Sequence, residues 1–163
     1  MDERQARRLV DRYADTILRI SFNWFQQRAD AEDICQTVFL KYLAAAPHFQ
    51  DEEHEKAWII RTAINACKDY RKSAFFRRTV ALEEAAELSA PETEWPELLD
   101  DVKRLPKLSR LSIYLYYYEG YSIREIAGML GKKEGSVAAA LSRGRRKLRD
   151  ILRNEANGGE ADE

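Results

Sequence analysis

Apolar residues recur along much of this chain at three- and four-residue intervals, the period of a helix with one buried face. In "DAEDICQTVFLKYL", Asp30 to Leu43, the residues Ala31, Ile34, Cys35, Val38 and Tyr42 share a stripe that predicts a core-facing side. In "EKAWIIRTAINACKDYRKS" the same spacing groups Ala57, Ile60, Ala63, Ile64, Cys67 and Tyr70. Toward the C-terminus, Ser122 and Glu125 form the capping box "SIRE", in which hydroxyl and carboxylate each satisfy a backbone N–H at a helix start. Ile123, Ile126, Ala127 and Leu130 follow as an apolar stripe, and Gly131 predicts a tight turn. A second helix starts near Glu134 with a buried line of Val137, Leu141, Gly144 and Leu148. The pair reads as a helix-turn-helix. Upstream, "LPKLSRLSIYLYYYEG" predicts a helix ending at Gly120, with Leu108, Leu111, Leu115 and Tyr118 packed under the pair. Tyr114, Tyr116 and Tyr117 are expected as core and rim aromatics rather than base-stacking platforms.

Composition supports an all-α fold: Gly (7) and Pro (4) are sparse in 163 residues, and 34% of the chain is charged. No window approaches the roughly 18 apolar residues of a membrane span. The N-terminus, "MDERQARRLVDRYADTILRI", is too charged for a secretory signal, so a cytoplasmic protein without membrane insertion is expected. Cys35 and Cys67 fall at apolar positions and are expected to be reduced core thiols. With His48 and His54 they lack the paired spacing of a zinc site, so neither metal nor cofactor is expected.

Charge divides the chain further. Residues 1–80 carry 14 bases and 12 acids, residues 81–102 carry 8 acids and no base, and residues 103–153 carry 13 bases and 4 acids. Two small helical domains joined by an acidic linker follow: a balanced module over 1–76, a linker over 77–94, a basic helix-turn-helix module over 95–153, and an acidic tail over 154–163 expected to be disordered.

The outward faces carry the candidate chemistry. On the first helix Glu32, Asp33, Gln36, Leu40 and Leu43 oppose the core stripe. Single exposed leucines are ordinary, but Leu40 flanked by Phe39 and Leu43 is also the start of an apolar patch with a polar rim, a protein-docking pattern. On the second helix Trp58, Arg61, Asn65, Lys68 and Lys72 form a stripe suited to phosphates, base edges and stacking, and equally to a solvated face, since Asp69 interrupts it. Phe49, in the loop between them, is an anchor into the module or a wedge against a base. The second helix of the helix-turn-helix presents Ser136, Ala139, Arg143 and Arg146, with Arg145 nearby, a basic face fitted to a DNA groove.

Together these segments resemble the extracytoplasmic-function class of bacterial RNA polymerase sigma factors, over nearly the whole chain. "DAEDICQTVFLKYL" is similar to the family's polymerase-docking helix, "HEKAWIIRTAINACKDYRK" to its promoter-melting helix, and residues 105–152 to its C-terminal helix-turn-helix. The resemblance implies that Asp33, Gln36, Phe39, Leu40 and Leu43 contact core RNA polymerase. It implies that Trp58, Arg61, Asn65, Lys68 and Lys72 meet the promoter element near the start site, with the loop His48 to Glu53 holding an extruded base. Ser136, Ala139, Arg143, Arg145 and Arg146 would meet the distant element, and the linker would thread toward the polymerase RNA path. Promoter DNA, core polymerase and an anti-sigma factor are the implied partners.

The chain departs from the family at Ala138 and Ala140, where members usually carry Lys or Arg. These positions are expected to flank the DNA face, so that Ala138→Lys and Ala140→Arg would tighten DNA binding. A conventional helix-turn-helix regulator with an unrelated sensing domain is the alternative, which the docking helix and basic stripe argue against. An enzyme is disfavoured, because no paired carboxylates, nucleophile with base, or phosphate loop occurs at usable spacing.

Overall fold

The structure, a computed structural model, describes residues 2–25, 27–80 and 102–158, the side chains of 74–80 excepted. The chain divides into two compact units, residues 1–93 and 94–163. The linker expected over 77–94 lies outside the described residues from position 81 onward.

The first unit is built from α1 (Glu3–Phe22), α2 (Arg28–Ala45) and α3 (Glu52–Val80). Helix α1 has no counterpart among the expected elements. Asp2 and Gln5 cap it reciprocally, and Leu9, Tyr13, Ile17 and Ile20, spaced four, four and three apart, are buried. Helix α2 buries Ala31, Ile34 and Val38. It ends at Ala46, held in the left-handed region at φ 42° just before Pro47. Helix α3 packs against both α1 and α2. It therefore buries a wider face than one stripe predicts: Ile59 and Ala66 join Ile60, Ala63, Ile64 and Cys67, while Ala57 and Tyr70 are half-buried.

Among the described residues, one charged group sits in this core. Glu55, in the first turn of α3, is 5% exposed. Its carboxylate accepts from the Tyr13 hydroxyl at 2.7 Å, the Tyr42 hydroxyl at 2.8 Å and Arg8 Nη2 at 3.4 Å. Nearby, Glu52 pairs with Arg12, and the Asp51 carboxylate accepts from the His54 backbone N–H at 2.8 Å.

The second unit comprises α4 (Lys107–Ile113), α5 (Ile123–Leu130) and α6 (Glu134–Gly158). Helix α4 runs on into one π-helical turn, Tyr114–Tyr118. That wider turn shifts the phase of the side chains, because about one extra residue is accommodated without advancing the face. Leu111 and Leu115 are buried as expected, but Tyr118 is 60% exposed and stacks on Tyr114 at 5.3 Å. Tyr116 and Tyr117 are also exposed. The Ser122–Glu125 capping box is formed, with bonds of 3.1 and 2.8 Å, and Gly131 ends α5 at φ 64°. Val137, Leu141 and Gly144 are buried and Leu148 half-buried. Gly144 permits a close crossing: a Cβ there would lie 2.7 Å from Ile113 Cδ1 and 3.1 Å from Ser109 Cβ. Helix α6 continues through Gly158, so positions 154–158 of the expected tail are helical, and 159–163 lie outside the described residues.

Three phenols bonded to carboxylates make the first unit sensitive to alkali. Burial first, then the bond to Glu55, pushes Tyr42 up to about 12 from the ordinary 10.0. Burial first, then the bond to Asp30, does the same to Tyr70, and Tyr13 is raised by burial and Glu55. A folded pKa above the unfolded one ties the protonated phenol to the native state. Its stabilising contribution is complete below the unfolded value near 10.0 and is lost as pH rises through about 12. Circular dichroism during an alkaline titration should show stability falling from about pH 10, with a smaller fall in Tyr42→Phe and in Tyr70→Phe.

Candidate docking and nucleic-acid interfaces

Three outward faces carry the residues expected to function. On α2, Leu40 is 65% and Leu43 49% exposed, while Phe39 is half-buried. Glu32, Asp33 and Gln36 are exposed on the same helix. Glu32 pairs with Arg28 at 3.0 Å, whereas Asp33 accepts from the Tyr70 hydroxyl at 3.3 Å. Leu40 and Leu43, one helical turn apart, form an apolar patch with a polar rim, on a helix whose opposite side already fills the core.

On α3, Arg61, Asn65 and Lys72 are exposed and Lys68 is half-buried. Trp58 is half-buried in an aromatic cluster, with ring centroids 5.6 Å from Tyr42 and 6.0 Å from Phe49. Phe49 lies 6.1 Å from Tyr42 as well, so in this structure it anchors the loop to the helices. Around it His48, Gln50, Asp51, Glu52 and Glu53 are exposed. The cluster hangs from Glu55 through the Tyr42 hydroxyl, a link the sequence reading missed because Glu55 sits in a run of otherwise exposed acids.

On α6, Ser136, Ala139, Arg143 and Arg146 are exposed on one face. Arg145 is exposed too, but it points off that face and donates to the Tyr117 hydroxyl at 2.9 Å. The alanine run behaves differently from expectation. Ala140 is 1% exposed and its carbonyl accepts from Ser109 Oγ at 2.9 Å, so it does not flank the exposed face: it is a small residue at the α4–α6 crossing. Ala138 is half-buried. Cys67 is buried, and burial pushes the half-buried Cys35 thiol up to about 11. Among the described residues no helix is long and apolar enough to cross a membrane, and no group of three His, Cys, Asp or Glu is placed to hold a metal ion.

The family described as Sigma-70 region 2 matches residues 9–75, and Sigma-70 region 4 matches residues 97–148. These spans hold α1 to α3 and the helix-turn-helix, in that order. The chain belongs to the ECF sigma factors of RNA polymerase. It is 31% identical over 160 residues to the ECF RNA polymerase sigma factor BldN of Streptomyces coelicolor, covering 91% of this chain and 61% of that one. It is 30% identical over 155 residues to the ECF RNA polymerase sigma factor SigE of Mycolicibacterium smegmatis, covering 88% and 60%. This sigma factor chain thus spans about three fifths of the length of these two relatives. Among solved structures, CnrH in complex with the cytosolic domain of CnrY aligns with a TM-score of 0.62 at 26% identity, covering 99% of this chain and 92% of that one. RpoE of Bartonella quintana, solved with the anti-sigma factor NepR, shares the fold with a TM-score of 0.70 at 17% identity, covering 90% and 96%.

The two alanines therefore separate in their expected behaviour. Ala140→Arg should destabilise the second unit by about 2–4 kcal/mol, because it forces volume and charge into a packed crossing. Ala138→Lys should leave stability within about 0.5 kcal/mol of wild type. Chemical denaturation of the full chain checks both.

Proposed function

We propose that this chain acts as a non-enzymatic initiation factor in the cytoplasm, binding core RNA polymerase and directing it to promoters that it recognises and helps to melt. Residues 1–76 form the docking and melting domain, and residues 95–153 the second promoter-reading domain. The observation that carries the reading is the exposure of Leu40 and Leu43 on a helix whose other side buries Ala31, Ile34 and Val38. Folding gives these leucines no role, whereas a partner helix laid over them would gain apolar burial. Asp33, Gln36 and Phe39 complete that docking face.

Trp58, Arg61, Asn65, Lys68 and Lys72 then meet the promoter element near the start site. Extruding a base costs a few kcal/mol, so a loop that holds it, His48 to Glu53 here, shifts the duplex toward opening. Ser136, Ala139, Arg143 and Arg146 meet the distant element. Arg145, tethered to Tyr117, serves at most as a flanking phosphate contact. The likeness to CnrH, solved with the cytosolic domain of CnrY, supports an anti-sigma factor as a further partner. A free-standing helix-turn-helix regulator would not call for two sigma regions in order along one chain.

Transcription in vitro with core polymerase on a promoter library tests the reading, with Leu40→Asp as its internal control. That substitution is at an exposed site, so the fold should survive. Core binding should weaken by about 2 kcal/mol or more, roughly thirtyfold. A folded Leu40→Asp chain that assembles normally would remove the docking face from the proposal.

Melting has its own signature. Alanine variants of Arg61, Asn65 and Lys68 should fail more severely on duplex promoters than on templates with a pre-opened bubble, since the bubble removes the unpairing cost. Equal defects on both templates would reduce the stripe to a phosphate contact.

A further inference from the structure

We propose that Tyr70 is a positioning residue of the α2 docking face, fixing the Asp33 carboxylate for a basic group of the polymerase while leaving its negative charge uncompensated. The inference rests on the docking reading above and names the residue that prepares the face for its partner.

The Tyr70 hydroxyl lies 2.7 Å from Asp30 Oδ1 and 3.3 Å from Asp33 Oδ2. Its ring stands edge-on to Phe25, with centroids 5.0 Å apart and an interplanar angle of 77°. The direction of the hydroxyl is thus set by packing. Burial, followed by the two aspartates, pushes the phenol up to about 12, so it remains a donor at neutral pH.

The contrast with the preceding residue explains why a tyrosine suits this place. Glu32 is paired with Arg28 at 3.0 Å, so its charge is met within α2. Among the described residues no cation is paired with Asp33. A neutral hydroxyl restricts the carboxylate without cancelling its charge, whereas an arginine there would compete with any incoming base.

One proton serves two acceptors, and the shorter bond goes to Asp30. When a basic side chain reaches Asp33, the hydroxyl can give its proton wholly to Asp30, and neither carboxylate is left without a donor. The exchange costs little, and the side-chain freedom of Asp33 is already reduced before the partner arrives.

A double-mutant cycle on the full chain tests this, with affinity for core RNA polymerase as the readout. Tyr70→Phe keeps the ring against Phe25, so it should remain folded by thermal melting and weaken binding roughly three- to tenfold. In an Asp33→Asn background the same change should have no further effect, because the hydroxyl acts through that carboxylate. Asp30→Asn, which leaves Asp33 as the stronger acceptor, should bind at least as tightly as wild type. The proposal is overturned if Tyr70→Phe weakens binding equally in both backgrounds, or if it is silent where Asp33→Asn is not. It is also overturned if Asp30→Asn loses affinity. Normal binding by both Asp33→Asn and Leu40→Asp would instead defeat the docking reading itself, an outcome recognisable because Leu40 has no part in the Tyr70 contacts.

Discussion

A single buried carboxylate organises the first unit. Glu55 enters the core from the first turn of α3 and takes hydrogen bonds from two helices at once, Tyr13 and Arg8 on α1 and Tyr42 on α2. An unpaired ion at 5% exposure would cost several kcal/mol. Here two hydroxyls, a guanidinium and the positive end of a helix offset that cost, but only in one arrangement of the three helices. The requirement therefore acts on geometry more than on net stability. Apolar side chains such as Ile17, Ile34 and Ile64 tolerate small slips of one helix on another, and the polar cluster does not.

What depends on Glu55 extends outward. Tyr42 bears on Phe49 and Trp58, so the loop after Pro47 inherits its position from the carboxylate beneath it. Fifteen residues beyond Glu55 along α3, roughly 22 Å at 1.5 Å per residue, Tyr70 repeats the device in reverse, with the phenol on α3 and the carboxylates on α2. Helix α3 is thus tied by tyrosine–carboxylate bonds near both ends of the stretch that carries Arg61, Asn65 and Lys68. The second unit is held differently: among its described residues no carboxylate is buried. Its crossing of α4 and α6 relies on small residues, Gly144 and Ala140 against Ser109 and Ile113, and on the Ser109 hydroxyl closing on a backbone carbonyl.

The sequence made α2, α3 and the helix-turn-helix legible because their stripes are strongly periodic and their ends carry local chemistry, such as Ser122 with Glu125 and Gly131. The outward leucines were legible for the same reason, as apolar residues on the wrong side of a clear stripe. Helix α1 is equally periodic in Leu9, Tyr13, Ile17 and Ile20, but the charges interleaved with them obscure the stripe. Glu55 was not legible: one acid among "DEEHE" becomes special only when three helices converge on it. Nor was Tyr118, because a π-helical turn breaks the period on which the prediction rests. Ala140 was misplaced because an alanine is compatible with either face of a helix, and only the approach of Ser109 assigns it.

The small-residue crossing in the second unit makes α6 lopsided in what it can become. Along the edge that carries Ser136, Ala139, Arg143 and Arg146, side chains can be exchanged with little cost to folding. Along the edge of Ala140 and Gly144, almost any larger residue would force α4 away. Whatever α6 reads, inherited variation in its preference is channelled to one side of the helix. Descendants of this chain can diversify there by single substitutions, while change on the other side requires α4 to vary with it.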